Sequence, residues 1–215
     1  MRVNEIFSSI NGEVCEVHQG SLCTFIRLSG CNLKCTYCDT VYAQDPKSGK
    51  EMSIEKIVSE AKRLGNSNIT ITGGEPLQQQ EELRQLINCL SVYEISIETN
   101  GSILIPEWFE VSWVADFKTK SSGMAKHMNL DNYKNLSSTD FLKFVISNKT
   151  DFDQALLVVQ ELRKQNIFVT PAFSPKFTTK KTKPIPLQKW MQEDTILKRA
   201  GAILNIQLHK WLGVK

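Results

Sequence analysis

The sequence predicts an α/β fold: an open, partial parallel β/α barrel shortened to about six βα units, or the same elements arranged as a doubly wound sheet. Short apolar, β-branched runs alternate along the chain with longer stretches of helical periodicity, the pattern of repeated βα units. The 215 residues are too few for the eight units of a closed barrel. The unusual residues, cysteines and paired glycines above all, follow the strands, and parallel sheets carry their sites at the carboxyl ends of strands.

Residues 22–28 form the first of these strands, rich in β-branched and aromatic side chains, and the cysteine loop follows it. Ile54, Ile57, Val58, Ala61 and Leu64 recur at helical spacing, so residues 53–64 are a helix with Ser53 as N-cap and Gly65 as terminator. Residues 68–72 are a strand stopped by Gly73-Gly74, residues 79–90 its helix and residues 93–98 the next strand. Residues 111–118 and 141–147 supply two more, separated by an irregular stretch rich in Ser, Asn and Lys with room for one short helix. Asp151 caps a helix through Asn166. Residues 167–173 are a strand, residues 187–200 a helix opened by Pro186, and residues 203–208 the last strand. No internal linker is visible, so residues 1–215 read as one domain.

Composition narrows the function classes. Lys and Arg (26) nearly balance Asp and Glu (23), a formal charge of +3 that calls for no nucleic-acid partner. The run 176–183 carries four lysines and three threonines and reads either as a solvated loop or as an anion-attracting rim. No stretch is long and apolar enough to span a membrane, and the first residues lack the apolar core of a signal peptide, so a cytoplasmic protein is expected. Three of the six cysteines crowd into residues 31–38 while Cys15, Cys23 and Cys89 are scattered, which points to metal or redox chemistry rather than a disulfide framework.

Cys31, Cys35 and Cys38 stand at C-x3-C-x2-C spacing directly after a strand. Crowded thiolates select zinc or iron–sulfur clusters. A closed zinc site needs four ligands, with Cys15, His18 or Cys23 as the fourth. A [4Fe-4S] cluster on three cysteines instead keeps one iron open for chemistry. Further on, Thr72-Gly73-Gly74-Glu75-Pro76 ends a strand with two residues that lack Cβ and let the backbone come close to a neighbour.

Together the cysteine spacing and the Gly-Gly-Glu-Pro turn resemble the radical S-adenosylmethionine (SAM) superfamily. Its fold is a partial barrel, its cluster chelates SAM, and Gly73, Gly74 and Glu75 fall where it meets the SAM amino group. Within it, residues 5–13, 25–35, 38–40, 97–101, 118–124 and 207–210 resemble the 7-carboxy-7-deazaguanine synthase family over nearly the whole chain. The resemblance implies hydrogen abstraction from 6-carboxy-5,6,7,8-tetrahydropterin, ring contraction and ammonia loss, within queuosine and deazapurine biosynthesis. It also implies Mg2+, a flavodoxin or ferredoxin as electron donor, and a homodimer.

By that resemblance Arg27 pairs with the substrate carboxylate, a task suited to a guanidinium fork. Arg27 also shares a strand face with Cys23 and Phe25, where an unpaired charge is costly. Thr40 falls at the position that helps hold Mg2+. Asn11, Gly12, Glu13, Gln207 and His209 fall in the pterin pocket; Tyr37, Glu98, Asn100, Ser121 and Ser122 fall on the SAM side. The chain departs from the family pattern at Asn11, usually glutamine, at Val14, usually glycine, and over residues 116–120. The alternatives are a glycyl-radical activase of the same superfamily, acting on a protein backbone, and a zinc-stabilised binding module without catalysis.

Overall fold

A computed structural model of the chain describes residues 1–108, 110–176 and 185–214. In chain order its strands and α-helices are β1 (Arg2–Ile10), β2 (Leu22–Leu28), β3 (Lys50–Glu51), α1 (Ile54–Leu64), β4 (Asn68–Gly73), α2 (Gln80–Cys89), β5 (Glu94–Thr99) and β6 (Ser112–Asp116). There follow β7 (Phe141–Ile146), α3 (Lys149–Lys164), β8 (Thr170–Pro175), α4 (Leu187–Glu193), α5 (Thr195–Arg199), β9 (Ile203–Leu204) and α6 (Leu208–Leu212). All strands join one sheet in the order β3-β1-β2-β4-β5-β6-β7-β8-β9. From β2 onward neighbours are parallel and in chain order, whereas a doubly wound sheet reverses direction midway. The edges β3 and β9 do not meet, so the arrangement is the open barrel.

The period-2 alternation of strands divides the sheet into two chemically different faces. One face carries Ile26, Leu28, Ile71, Ile97, Leu142 and Phe144, all fully buried in the main core. Each such side chain contributes about 1.5–3 kcal/mol of burial. The other face carries Arg27, Thr72, Glu98, Asp116 and Lys143, set side by side by the register Arg27↔Thr72 and Asp116↔Lys143. Helix placement follows local signals. The Ser53 hydroxyl accepts the Lys56 N–H at 3.3 Å, and Gly65 turns left-handed at φ 74° to end α1.

Several elements differ from the sequence reading. β1 was not expected as a strand; it pairs antiparallel to β2, with Phe7 opposite Phe25 and Glu5 opposite Arg27. Asn148 rather than Asp151 caps α3, its Oδ1 accepting the Asp151 N–H at 3.0 Å. The Asp151 carboxylate, one turn in, instead accepts the N–H groups of Ser147 and Ser121. The expected helix over 187–200 breaks at Asp194, whose Oδ1 accepts two N–H groups at 2.8 Å and starts α5. The strand expected over 167–173 begins only at Thr170, because Asn166 turns left-handed (φ 62°) and the Ile167 N–H returns to Leu162.

The strand expected over 203–208 keeps two residues. Beyond them the Leu208 N–H bonds to the Gly12 carbonyl at 2.8 Å and α6 begins. Between β6 and β7 three short 3-10 turns stand where one helix had room: Lys120–Ser122, Ala125–His127 and Leu130–Tyr133. The lysine-rich run, Lys176 apart, lies outside the described residues. Among the described residues no helix is long and apolar enough to cross a membrane.

Candidate active site

The polar face of the sheet opens at its carboxyl end into a cavity of about 770 Å³. Three walls enclose it: the cysteine loop with the β4 turn, the side chains of β5 to β7, and the segments before β2 and after β9.

Cys31, Cys35 and Cys38 all reach the cavity as free, half-buried thiols. The loop is held from outside. The Thr36 N–H and hydroxyl bond to the carbonyls of Ser122 (3.0 Å) and Ser121 (2.7 Å), and the Lys34 N–H points at the Met124 sulfur at 3.4 Å. From inside it is braced by the β4 turn: a Cβ on Gly74 would lie 1.9 Å from the Gly30 carbonyl oxygen and 2.9 Å from the Cys31 nitrogen. Only glycine permits that approach, and it packs the Gly73-Gly74 turn against the backbone of Gly30 and Cys31. Tyr37 lines the same wall, its hydroxyl buried without a hydrogen-bond partner among the described residues and its ring 5.7 Å from the Lys176 ammonium. Burial pushes that hydroxyl up to about 12 despite the Lys118 charge nearby.

This wall fits a three-cysteine iron–sulfur cluster with an amino-acid ligand beside it. Among the described residues no three His, Cys, Asp or Glu side chains are grouped so as to hold a single metal ion. Neither Cys15, His18 nor Cys23 lines the cavity, and Cys23 donates to the Thr70 hydroxyl at 3.1 Å. None of the three residues that the sequence offered as a fourth zinc ligand is therefore on the cavity wall.

Across the cavity runs a chain of charges that links the cysteine loop to the last segment. Asp39 pairs with Lys210 (2.6 Å), Lys210 donates to Gln207 (2.7 Å) and Gln207 donates to Glu13 (2.6 Å). Glu13 pairs with Lys143 (2.5 Å), Lys143 lies 3.5 Å from Asp116, and Asp116 pairs with Lys118 at 2.7 Å. Burial opposes ionisation of Glu13. The Lys143 ammonium and hydrogen bonds from Lys143 and Gln207 outweigh it and hold the carboxyl at about 2. Burial likewise opposes the charge on Lys143, but Asp116, Glu13 and Glu98 surround it and keep it protonated. Glu98, accepting from the Thr72 hydroxyl at 2.9 Å, is pushed up by burial, with Lys143 working against the shift and Glu13 with it. His209 lines the cavity and is shifted down by burial, against the pull of Glu13.

Arg27 occupies the remaining corner. Its Nε donates to Glu5 at 3.0 Å, its guanidinium lies 5.8 Å from the centre of the Phe7 ring, and Nη1 is 3.5 Å from the Thr40 hydroxyl. Tyr42 holds the same Glu5 oxygen at 2.8 Å. Thr40 bonds onward to Asp39 at 3.0 Å, so Arg27 and a pair of hard oxygen ligands stand together.

The structure thus brings Arg27, Tyr37, Thr40, Gly73, Gly74, Glu98, Asn100, Gly12, Glu13, Gln207, His209 and the three cysteines to one cavity. Four expected contacts lie off its wall. The Asn11 amide is spent on the hydroxyls of Ser21 and Thr70, and Glu75 is fully buried beneath the strand ends, accepting from Leu77, Thr99 and Asn100. Ser122 donates to the Thr119 carbonyl, and Ser121 receives Asn148 on its hydroxyl. Each of the four is held by these bonds within the structure around the cavity. The sequence reading missed Asp116, Lys118 and Lys143. The signal for Lys143 was a lone charge inside the apolar run Phe141-Leu142-Lys143-Phe144, the argument already applied to Arg27.

Comparison with known proteins agrees with this site. The model of the radical SAM superfamily matches residues 25–179. A 7-carboxy-7-deazaguanine synthase of Clostridium acetobutylicum is 36% identical, with 97% of this chain and 94% of that protein aligned. Proteins of the same name from Koribacter versatilis and Methanospirillum hungatei are each 32% identical, covering 99% and 100% of this chain and 96% and 86% of theirs. The crystal structure of QueE from Escherichia coli superposes with a TM-score of 0.66 over 97% of this chain and 94% of that one. At 18% identity this is a likeness of fold.

Proposed function

The chain belongs to the 7-carboxy-7-deazaguanine synthase family of the radical SAM superfamily, and we propose that it converts 6-carboxy-5,6,7,8-tetrahydropterin to 7-carboxy-7-deazaguanine. It is a lyase of deazapurine biosynthesis that uses a [4Fe-4S] cluster and SAM. Bound at the cysteine wall, these supply one-electron chemistry that removes hydrogen from the substrate.

The chain's own residues bind, orient and shield. Cys31, Cys35 and Cys38 hold the cluster, and the carbonyls of Gly73 and Gly74 beside Cys31 receive the SAM amino group. Tyr37, Asn100 and Glu98 complete that side, with Asn100 fixed by its bond to Asn32 at 3.0 Å. Glu75, Ser121 and Ser122 serve it from behind by holding strand ends and loop in place. Arg27 takes the substrate carboxylate on its terminal nitrogens, since Glu5 already occupies Nε. Thr40 and Asp39 offer the oxygens a Mg2+ ion prefers. Glu13, ionised by Lys143, accepts from the amino and amide edge of the pterin, with Gln207 and His209 beside it. Gly12 leaves room for His209, and Asn11 anchors the turn before it.

Three further parts belong to this proposal. The electron comes from a flavodoxin or ferredoxin in the cytoplasm, where thiols stay reduced. The chain works as a homodimer, which would cover sheet edges left open at β3 and β9. Residues 1–215 act as one domain, because the first and last segments close the same cavity. The observation that carries the reading is the single cavity with thiols on one wall and an arginine, held side-on by Glu5, on another. Anaerobic incubation of the reconstituted protein with SAM, reductant and the carboxytetrahydropterin tests it by mass analysis. Deazaguanine is expected, with loss in Cys35→Ala. Deoxyadenosine without deazaguanine would keep the superfamily and reject the reaction.

A further inference from the structure

We propose that the Lys210 ammonium is a built-in counter-cation of the corner formed by Asp39 and Thr40: it holds the Asp39 carboxylate until a divalent ion displaces it, and so sets how much Mg2+ the enzyme needs. The inference deepens the reading of Thr40 and Asp39 as Mg2+ ligands and rests on it. Asp39 directly follows the last cysteine of the loop, and Lys210 stands on α6, whose first N–H is tied to the Gly12 carbonyl at 2.8 Å. That seat brings Lys210 Nζ to 2.6 Å from Oδ2 of Asp39, while Oδ1 accepts the Thr40 hydroxyl at 3.0 Å. An ammonium and a hard dication are drawn to the same carboxylate, and each repels the other.

Two properties open this pair to exchange. The Asp39 side chain is 52% exposed, so water screens the attraction, whereas Lys143 and Glu13, at 7% and 11%, are sealed into the cavity wall. Once off Asp39, the ammonium still has an acceptor, because it already donates to Oε1 of Gln207 at 2.7 Å. Gln207 is itself fixed by its bond to Glu13 at 2.6 Å, so that acceptor stays in place. The other cations near this corner are held more deeply. Lys143 lies against Glu13 and Asp116, and Arg27 lies against Glu5, all of them mostly buried side chains. Lys210 is therefore the cation that a metal ion can move.

The experiment titrates the reconstituted enzyme with Mn2+ alone, a hard dication whose free form is counted by its electron paramagnetic resonance, in the absence of SAM and pterin. Lys210→Met should bind Mn2+ about tenfold more tightly than the wild type, since a unit charge next to a dication is removed. Lys210→Arg keeps the charge and should bind Mn2+ as weakly as the wild type does. The gain should vanish in Lys210→Met/Asp39→Asn. The Mg2+ concentration for half-maximal deazaguanine formation should fall in Lys210→Met alongside the Mn2+ result. Equal or weaker Mn2+ binding by Lys210→Met, no binding by either protein, or a gain that survives Asp39→Asn overturns the proposal. An unchanged Mg2+ requirement overturns the claim on turnover. A wild type that makes no deazaguanine would bring down the functional reading, and the Mn2+ titration would still judge the lysine.

Discussion

A Cβ placed on Gly12 would lie 2.0 Å from Nδ1 of His209, although the two residues are nearly the whole chain apart. The Gly12 carbonyl also receives the Leu208 N–H at 2.8 Å and the Gln19 amide at 3.0 Å, so the turn before β2 and the start of α6 are built against each other. Gly12→Ala therefore has to push His209 off the cavity wall. Overpacking of this kind costs about 1–3 kcal/mol. KM for the carboxypterin is expected to rise about tenfold or more, with iron content unchanged. A normal KM would show that His209 does not contact the substrate.

Lys143 is the cation at the centre of Glu13, Glu98 and Asp116. Lys143→Met removes the only charge among the described residues that pairs directly with Glu13 and leaves carboxylates buried against β7. Breaking a buried pair this way costs about 3–5 kcal/mol. Urea unfolding should show that loss, and Lys143→Met/Glu13→Gln should recover part of it. A double variant as unstable as the single one would mean the pair is not coupled.

How far these features were legible depends on the range of the interactions behind them. Ser53 and Gly65 bracket α1 as read, because caps act within one turn. Gly73-Gly74 and the cysteines were placed together because each ends a strand of a parallel sheet. β1 escaped notice: its partner is an antiparallel neighbour, and both sides of its alternation, Glu5, Phe7 and Ser9 against Ile6, Ser8 and Ile10, mix polar with apolar residues. The hydrogen bonds that hold Asn11 to Thr70, Glu75 to Asn100 and Thr36 to Ser121 were not legible, because their partners come from segments far along the chain. Lys143 was the reverse case, visible as a charge in an apolar strand but without a partner until β6 and the turn holding Glu13 lay beside it.

The pH dependence of Glu13 has a definite sign. Its folded value, about 2, lies below the ordinary 4.5, so its contribution to stability is present above that ordinary value and is lost as pH falls toward 2. The groups facing it are Lys143 from β7, Glu98 from β5, and Gln207 and His209 from the last segment. Unfolding free energy measured by urea from about pH 7 to pH 3 should fall more steeply for the wild type than for Glu13→Gln. Parallel curves would mean that Lys143 does not hold Glu13 ionised.

Glu75 offers the sharpest test of a positioning role. Its Oε1 accepts the Leu77 N–H at 3.0 Å and the Thr99 hydroxyl at 2.8 Å, and its Oε2 accepts the Asn100 N–H at 2.7 Å. The Asn100 side chain in turn reaches to 3.7 Å from the Cys31 sulfur. Glu75→Gln keeps the shape, but whichever way the amide is turned, its NH2 meets a backbone N–H of Leu77 or Asn100. A buried donor left facing a donor costs about 1–3 kcal/mol. Glu75→Ala leaves both N–H groups unpaired and should cost more. SAM affinity should fall in the same order, because the displaced Asn100 carries the β5 end away from Cys31 and the glycine turn. If Glu75→Gln bound SAM as the wild type does and Glu75→Ala alone failed, bulk at this position rather than its acceptor oxygens would be holding the strand ends.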